Sequence, residues 1–269
     1  MGRMGELKTG NTLKRWDTAV KDPAFAPFVD LSWIKTQAEH FLEALNQGTV
    51  STNVFLRRIH NFALDMDWIG RRIIPKRQWP KVECNAKRAI TWVEHQTVLA
   101  SEKNPEFYAY YELLWHLGGS QSDIANLNSE NVDWPDGTIA YFRMKTGSRV
   151  MFHFGDLVVG ILKVLPQAGP LFPNIRKSRE ADSATYFKRR CTLRGISGVT
   201  LHSYRYAWAQ RAKESGYPER FAQEALGHNS IAVHRAYAMK AKVKLPNLED
   251  CERKIVAIPE PTGILENLL

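Results

Sequence analysis

One stretch of the chain gathers side chains that move protons and hold anionic oxygens. It reads Thr200-Leu-His-Ser-Tyr-Arg205, then Ala225-Leu-Gly-His228, then Ala236-Tyr237. The pattern is His-x-x-Arg, Leu-Gly-His, and a tyrosine nine residues beyond the second histidine. Histidine changes charge near neutral pH. Arginine carries a permanent charge and five donors, and a tyrosine hydroxyl becomes a nucleophile once it loses its proton. Each residue has an ordinary reading too. His202 is then a surface histidine near a helix cap, Arg205 a partner for a surface carboxylate, His228 the residue after a C-cap, and Tyr237 a half-buried helical aromatic. The order and spacing together make coincidence the poorer explanation. A histidine-based metallo-phosphodiesterase fits less well, because His202 and His228 lack the partners of a metal site. Cys84, Cys191 and Cys251 lie too far apart for a metal-ligand spacing or a disulfide scaffold. No metal and no cofactor is expected.

Several elements must position these residues. Thr200 can cap a helix from about Leu201, which places His202 and Arg205 on one face. That helix ends at Gly216, and Pro218 opens the next. The second helix ends at Leu226-Gly227-His228, and Asn229 or Ser230 caps a third that carries Tyr237. Further upstream, Asn104-Pro105 starts a helix with Phe107, Tyr110, Leu113, Leu114 and Leu117 on its apolar face, and Gly118-Gly119 stops it. A short helix follows around residues 123–127. Residues 138–144 and 149–154 form a hairpin, since Val150, Phe152 and Phe154 alternate with Arg149, Met151 and His153. Lys145-Thr-Gly147-Ser is its turn.

The first part, to about residue 78, reads as helical. Leu31, Ile34, Ala38, Phe41, Leu42 and Leu45 keep a helical period that Gly48 closes, and Ser51 caps a second helix with Val54, Phe55, Ile59 and Phe62. Residues 71–80 hold two prolines and four basic residues and read as a linker.

The 269 residues are 44% hydrophobic and 24% charged, the balance of a soluble globular protein rather than a disordered one. The longest apolar stretches, such as residues 157–162, are too short to span a membrane. The first residues show no apolar signal region, so a cytoplasmic location is expected. A net charge of +9 suits a polyanionic partner, chiefly nucleic acid.

The stretch from 200 to 237 resembles the catalytic core of tyrosine recombinases, the phage-integrase type of DNA strand-exchange enzyme. Lys145-Thr-Gly147 looks like that family's catalytic lysine, and Pro170-Leu-Phe-Pro173 like its usual run after the next helix. Arg88-Ala-Ile-Thr91 with Glu94 looks like the opening of its catalytic domain. The resemblance implies a mainly α fold with a small β-sheet. Residues 1–78 would be a helical core-binding domain and 79–258 a mixed α/β catalytic domain. Residues 259–269 would form a tail whose Ile264, Leu265, Leu268 and Leu269 dock on a neighbouring protomer. It also implies roles. Tyr237 attacks a DNA phosphodiester to form a 3′-phosphotyrosyl link, and His202 takes or shares its proton. Lys145, on a hairpin able to reach the minor-groove side of the DNA, protonates the leaving 5′-oxygen. Arg205 and His228 hold the non-bridging oxygens, and Asp123 is the family's supporting acidic residue.

One position departs from the pattern. The family has an arginine three residues before its acidic residue, and here Ser120 stands there, in Gly118-Gly-Ser-Gln-Ser-Asp123. Gln121 is no substitute. Ser120 and Asp123 instead have the spacing of a capping box. A serine supplies no positive charge, and loss of an arginine clamp costs about 10³–10⁵ in rate. Three readings stay open: a slow or inactive relative, an introduced change, or a replacement charge from Arg149, Arg189 or Arg190.

The expected partner is double-stranded DNA, held by a homo-oligomer, a tetramer on paired sites, in a bacterial, phage or mobile-element setting and with no membrane involved. Candidate phosphate contacts are Arg57, Arg58, Arg71, Arg72, Lys76 and Arg77 from the first part and linker, and Lys188, Arg189 and Arg190 from the second. The function expected is site-specific strand cleavage and rejoining. Two alternatives remain: a weak or inactive DNA-binding member, and a topoisomerase-like nicking and rejoining enzyme that needs no paired sites.

Overall fold

Apolar residues at helical spacing dominate the chain, and the fold follows them: it is mainly α-helical, with one three-stranded antiparallel sheet. The computed structural model describes residues 10–82, 87–228 and 230–243. Two compact units part between Ala86 and Lys87.

The first unit contains helices α1 (Gly10–Val20), α2 (Ala38–Gln47) and α3 (Val50–Asp65), with short 3-10 turns at Pro23–Phe25, Trp33–Lys35 and Lys76–Gln78. Its core is Ala24, Phe25, Phe41, Ala44, Leu56 and Ile74. Phe41 is the centre: it stacks on Phe28 at 5.6 Å and meets the rings of His60 and Trp79 edge-on. Three expectations change here. The second helix begins only at Ala38, so Leu31 and Ile34 lie outside it and are exposed. Thr49, not Ser51, caps α3 and accepts from the Thr52 amide. The buried face of α3 is Thr52, Asn53, Leu56, His60 and Ala63, while Val54, Phe55, Ile59 and Phe62 are half-buried.

Residues 71–80 are not a free linker. Ile74 is buried, and Ile73 and Trp79 pack on the same core. The Ile73 amide donates to His60 Nε2 at 3.1 Å, and Asn53 and Arg57 both donate to the Pro80 carbonyl. Three large apolar side chains outweigh the local signal of proline and charge. The division accordingly falls eight residues beyond the expected 78.

The second unit is built around α5. The order is α4 (Trp92–Ser101), α5 (Pro105–Leu117), α6 (Gln121–Ala125), β1 (Val132–Asp133), β2 (Thr138–Phe142), β3 (Arg149–His153), α7 (Asp156–Lys163), α8 (Pro173–Lys177), α9 (Glu180–Leu193), α10 (Ser203–Glu214), α11 (Glu219–Ala225) and α12 (Ile231–Tyr237). Asn104 caps α5, Pro105 sits in its first turn, and Gly118 ends it in the left-handed region at φ 62°. Tyr110, Tyr111, Leu113, Leu114 and Leu117 are buried, so α5 is covered nearly all round, by α6, α7, α8 and α10. The hairpin pairs Ile139 with Phe152 and Tyr141 with Val150. At the start of α4, Thr91 and Glu94 form a capping box, and Glu94 grips Arg88 with both oxygens, at 2.8 and 2.6 Å. Cys191 is buried and free. Cys84, Cys251 and the apolar tail residues lie outside the described residues. Among the described residues no helix is long and apolar enough to cross a membrane.

Candidate active site

Helices α10, α11 and α12 meet at one end of α5, and their termini form the site. Thr200 does not cap α10 with its side chain; its amide donates to Ser203 Oγ, and His202 itself is the N-cap residue. His202 therefore stands at the helix mouth while Arg205 lies one turn in. Pro218 precedes α11, and Gly227, at φ 56°, turns the chain out of it. Ser230 accepts from the Val233 amide and starts α12, whose last residue is Tyr237.

These turns bring Tyr237 and His202 together. His202 Nε2 lies 2.9 Å from the Tyr237 hydroxyl. The Tyr237 ring is clamped by its neighbours. Tyr206 stacks on it at 4.4 Å and 22°, and His228 lies 4.6 Å away. The Arg205 guanidinium carbon is 5.5 Å from its centroid. Tyr206, four residues after His202, was not singled out by sequence reasoning. Its signal is the one-turn spacing that puts both rings on one face of α10.

Burial and cation neighbours set the protonation states. His202 is pushed down to about 4, first by burial and then by Arg205, Lys87, Lys145 and Arg143. His228 is pushed down to about 3, by burial and then by Arg205, His234 and Arg143. Both are neutral at pH 7. Burial lowers Arg205 to about 10, with Arg143 adding to the effect, so it stays charged. A neutral His202 with its proton on Nδ1 offers Nε2 as an acceptor for the tyrosine proton. Both ring nitrogens of His228 are buried and have no hydrogen-bond partner among the described residues.

Arg205 is buried and tied to backbone carbonyls. Its Nη1 donates to Gly118 O at 3.1 Å and its Nη2 to Leu226 O. Gly118 cannot bear a side chain: a Cβ there would sit 2.6 Å from Trp208 Cγ.

Ser120 is the N-cap of α6. Its hydroxyl accepts from the Asp123 amide at 3.2 Å, and its amide donates to Asp123 Oδ2 at 3.3 Å, which completes the capping box. Asp123 is buried and does more than cap. Oδ2 accepts from Arg143 Nε at 2.9 Å, and Oδ1 accepts from the Met144 amide at 3.0 Å. This fixes the strand end next to Lys145. Lys145 is exposed on the β2–β3 turn, which is closed by Arg143 N to Ser148 O and Gly147 N to Arg143 O. The lysine lies near enough to His202 to help lower its pKa.

Arg143 is the second residue that sequence reasoning missed. It follows β2 and continues the inward parity of Ile139 and Tyr141, all three being buried. A charged residue at an inward strand position is the signal that marks it. The three arginines expected as replacements for the missing charge differ in their surroundings. Arg149 and Arg189 are exposed, and Arg190 donates to the Tyr186 hydroxyl at 2.6 Å and pairs with Glu102.

The other candidate DNA contacts divide likewise. Arg58, Arg71, Arg72, Lys76, Arg77 and Lys188 are exposed. Arg57 is half-buried over the Trp79 ring, 5.2 Å from its centroid. Among the described residues, no three His, Cys, Asp or Glu side chains gather as a metal site requires.

Comparison with known proteins gives the family and the fold. Residues 95–243 match the phage integrase family. A tyrosine recombinase from Agathobacter rectalis is 26% identical over 147 residues, covering 51% of this chain and 48% of that protein. This chain thus spans about half the length of that relative. Among solved structures, a lambda integrase dimer bound to a core site aligns with a TM-score of 0.74 at 17% identity, over 90% of this chain and 94% of that one. The Tn1549 transposon integrase in complex with transposon right end DNA aligns at 0.71 and 13% identity, over 94% and 96%. At such identities these structures speak for the fold. The family match takes in Asp123, Lys145, His202, Arg205, His228 and Tyr237 and covers more than half of the chain, so the protein belongs to the phage integrase family, the tyrosine recombinases.

Proposed function

We propose that the protein cleaves and rejoins DNA strands at specific sites through a 3′-phosphotyrosyl intermediate. The observation that carries the proposal is the 2.9 Å contact between Tyr237 and a His202 held neutral at pH 7. A free tyrosine has a pKa of about 10 and needs a base at pH 7. In the cleavage step the Tyr237 oxygen bonds to phosphorus, and its proton passes to His202 Nε2. The bond from phosphorus to the 5′-oxygen breaks, and Lys145 protonates that oxygen. Arg205 and the N–H of His228 donate to the non-bridging oxygens, where charge builds. Attack by a 5′-hydroxyl of a second strand reverses every transfer, so the bond energy is kept in the phosphotyrosine.

The two units divide the work. The first, with Arg58, Arg71, Arg72, Lys76 and Arg77 exposed, holds DNA by its phosphates. Lys188 and Arg189 add contacts from the second. The assembly is a homo-oligomer on paired sites. Support comes from fold neighbours solved as a lambda integrase dimer on a core site and a tetramer on a Holliday junction.

The test uses a pool of nicked duplexes randomised around the nick, so that cleavage releases a short oligonucleotide and traps the protein. A covalent adduct on a denaturing gel, absent with Tyr237→Phe, is the expected result. DNA binding without any adduct points to the inactive DNA-binding alternative. Adducts accompanied by relaxation of supercoiled DNA by single protomers point to the topoisomerase-like one.

A further inference from the structure

Ser120 supplies no charge, and the fold buries another arginine, Arg143, against the same Asp123 that Ser120 caps. Arg143 and Arg205 come from different elements, the end of β2 and the first turns of α10, yet both donate to the same carbonyl, Leu226 O. Leu226 is two residues before His228. The two guanidiniums therefore share one carbonyl, and that of Arg205 lies 5.5 Å from the centroid of the Tyr237 ring. Asp123 holds Arg143 from behind through Nε. The hydrogen bonds of Arg143 to described residues use Nε and Nη1.

The surroundings are shaped around this side chain. Gly227 borders it so closely that a Cβ there would meet Arg143 Cδ at 2.6 Å. The charge is felt across the site: His202, Arg205 and His228 all have their protonation opposed by Arg143. Two guanidiniums against one carboxylate leave one net positive charge in a buried setting. Two like charges facing each other are costly unless an anion joins them. Without Arg143, the buried charges of Arg205 and Asp123 would cancel, and the positive charge left near His202 would be that of Lys145 and Lys87.

We propose that Arg143 is a catalytic residue, which supplies from the strand the guanidinium that Ser120 cannot supply from the helix, and that it faces a non-bridging oxygen of the scissile phosphodiester beside Arg205. This rests on the strand-cleavage reading above. The protein is then an active enzyme with a relocated charge rather than a disarmed one.

The test uses a nicked duplex trapped from the randomised pool, made in two forms: with the ordinary scissile phosphate, and with a neutral methylphosphonate in its place. Covalent-adduct rates are measured for the unaltered protein, Arg143→Gln, Arg143→Lys and Ser120→Arg, with thermal melts to confirm folding. Arg143→Gln is expected to slow cleavage of the phosphate about 10²–10³-fold. That deficit is expected to shrink at least about tenfold on the methylphosphonate, which has no anionic oxygen to neutralise. Arg143→Lys keeps the charge and falls between. A role limited to holding Asp123 would slow both substrates equally, and that result overturns the inference, as does unchanged cleavage by Arg143→Gln. An adduct that appears only after Ser120→Arg also overturns it while sparing the strand-cleavage reading. No adduct from either protein, with DNA bound, overturns both.

Discussion

Asp123 offers the sharpest test of how the site is held. Three donors converge on its carboxylate: Arg143 Nε at 2.9 Å and the Ser120 amide at 3.3 Å on Oδ2, and the Met144 amide at 3.0 Å on Oδ1. The side chains of the ion pair are 8% and 1% exposed, so water cannot replace a lost partner. Asp123→Asn keeps the shape and replaces one oxygen with an NH₂ group. Whichever way the amide turns, a donor then faces a donor. Arg143 also loses its counter-charge. Removing one partner of a buried pair costs about 3–5 kcal/mol. A unit of 150–250 residues loses roughly 2–4 °C of melting temperature per kcal/mol, so the second unit should melt about 6–20 °C lower.

Calorimetry on the full chain reads this directly. Asp182→Asn is the control. Arg179 grips Asp182 with two bonds of 3.0 Å, but the side chains are 85% and 49% exposed, and its loss should leave melting unchanged. The reasoning is refuted if Asp123→Asn melts within about 2 °C of the unaltered protein, or if the two variants lose the same amount.

Further outcomes are expected. In the free protein the His202 ring should titrate near 4 rather than 6.5. At pH 5.5 about 97% of it is then neutral, against about 9% for an unperturbed histidine, and NMR of the ring protons checks this. The sign follows for stability: between pH 6.5 and about 4 the unfolded chain binds protons that folded His202 and His228 refuse, so the fold weakens as pH falls through that window. Gly118→Ala should destabilise by roughly 2–4 kcal/mol, from the left-handed φ and the contact with Trp208. It should also reduce the covalent adduct, because Gly118 O anchors Arg205. Arg190→Ala should lower the melting temperature, since it strips the buried Glu102 carboxylate of its ion pair, and leave the salt dependence of DNA binding unchanged. Arg189→Ala, measured by anisotropy across a salt series, should reduce the salt slope by about one with little effect on melting.

Much of this protein was legible without coordinates, because the signals are local. The helix with an Asn-Pro start and a Gly stop lies at Pro105–Leu117 as those residues require, and the alternating residues around 150 form the hairpin. The Ser120–Asp123 capping box depends only on a three-residue spacing, and it is present. Local chemistry also put His202 and Arg205 near the start of one helix, His228 just after the next, and Tyr237 on a third, and the helices lie accordingly. Tertiary packing decided the rest. Residues 71–80 carry every mark of a linker, yet Ile74 and Trp79 join a core made by α2 and α3, which no local pattern reveals. Arg190 looks like any residue of a basic run until Tyr186 and Glu102 claim it. Arg143 shows the limit most plainly. Its inward parity was readable from Ile139 and Tyr141, but its partners, Asp123 and Leu226, are 20 and 83 residues away. Only the folded chain brings those groups together, since burying an arginine requires a carboxylate and carbonyls to converge on it, and convergence is a property of tertiary structure.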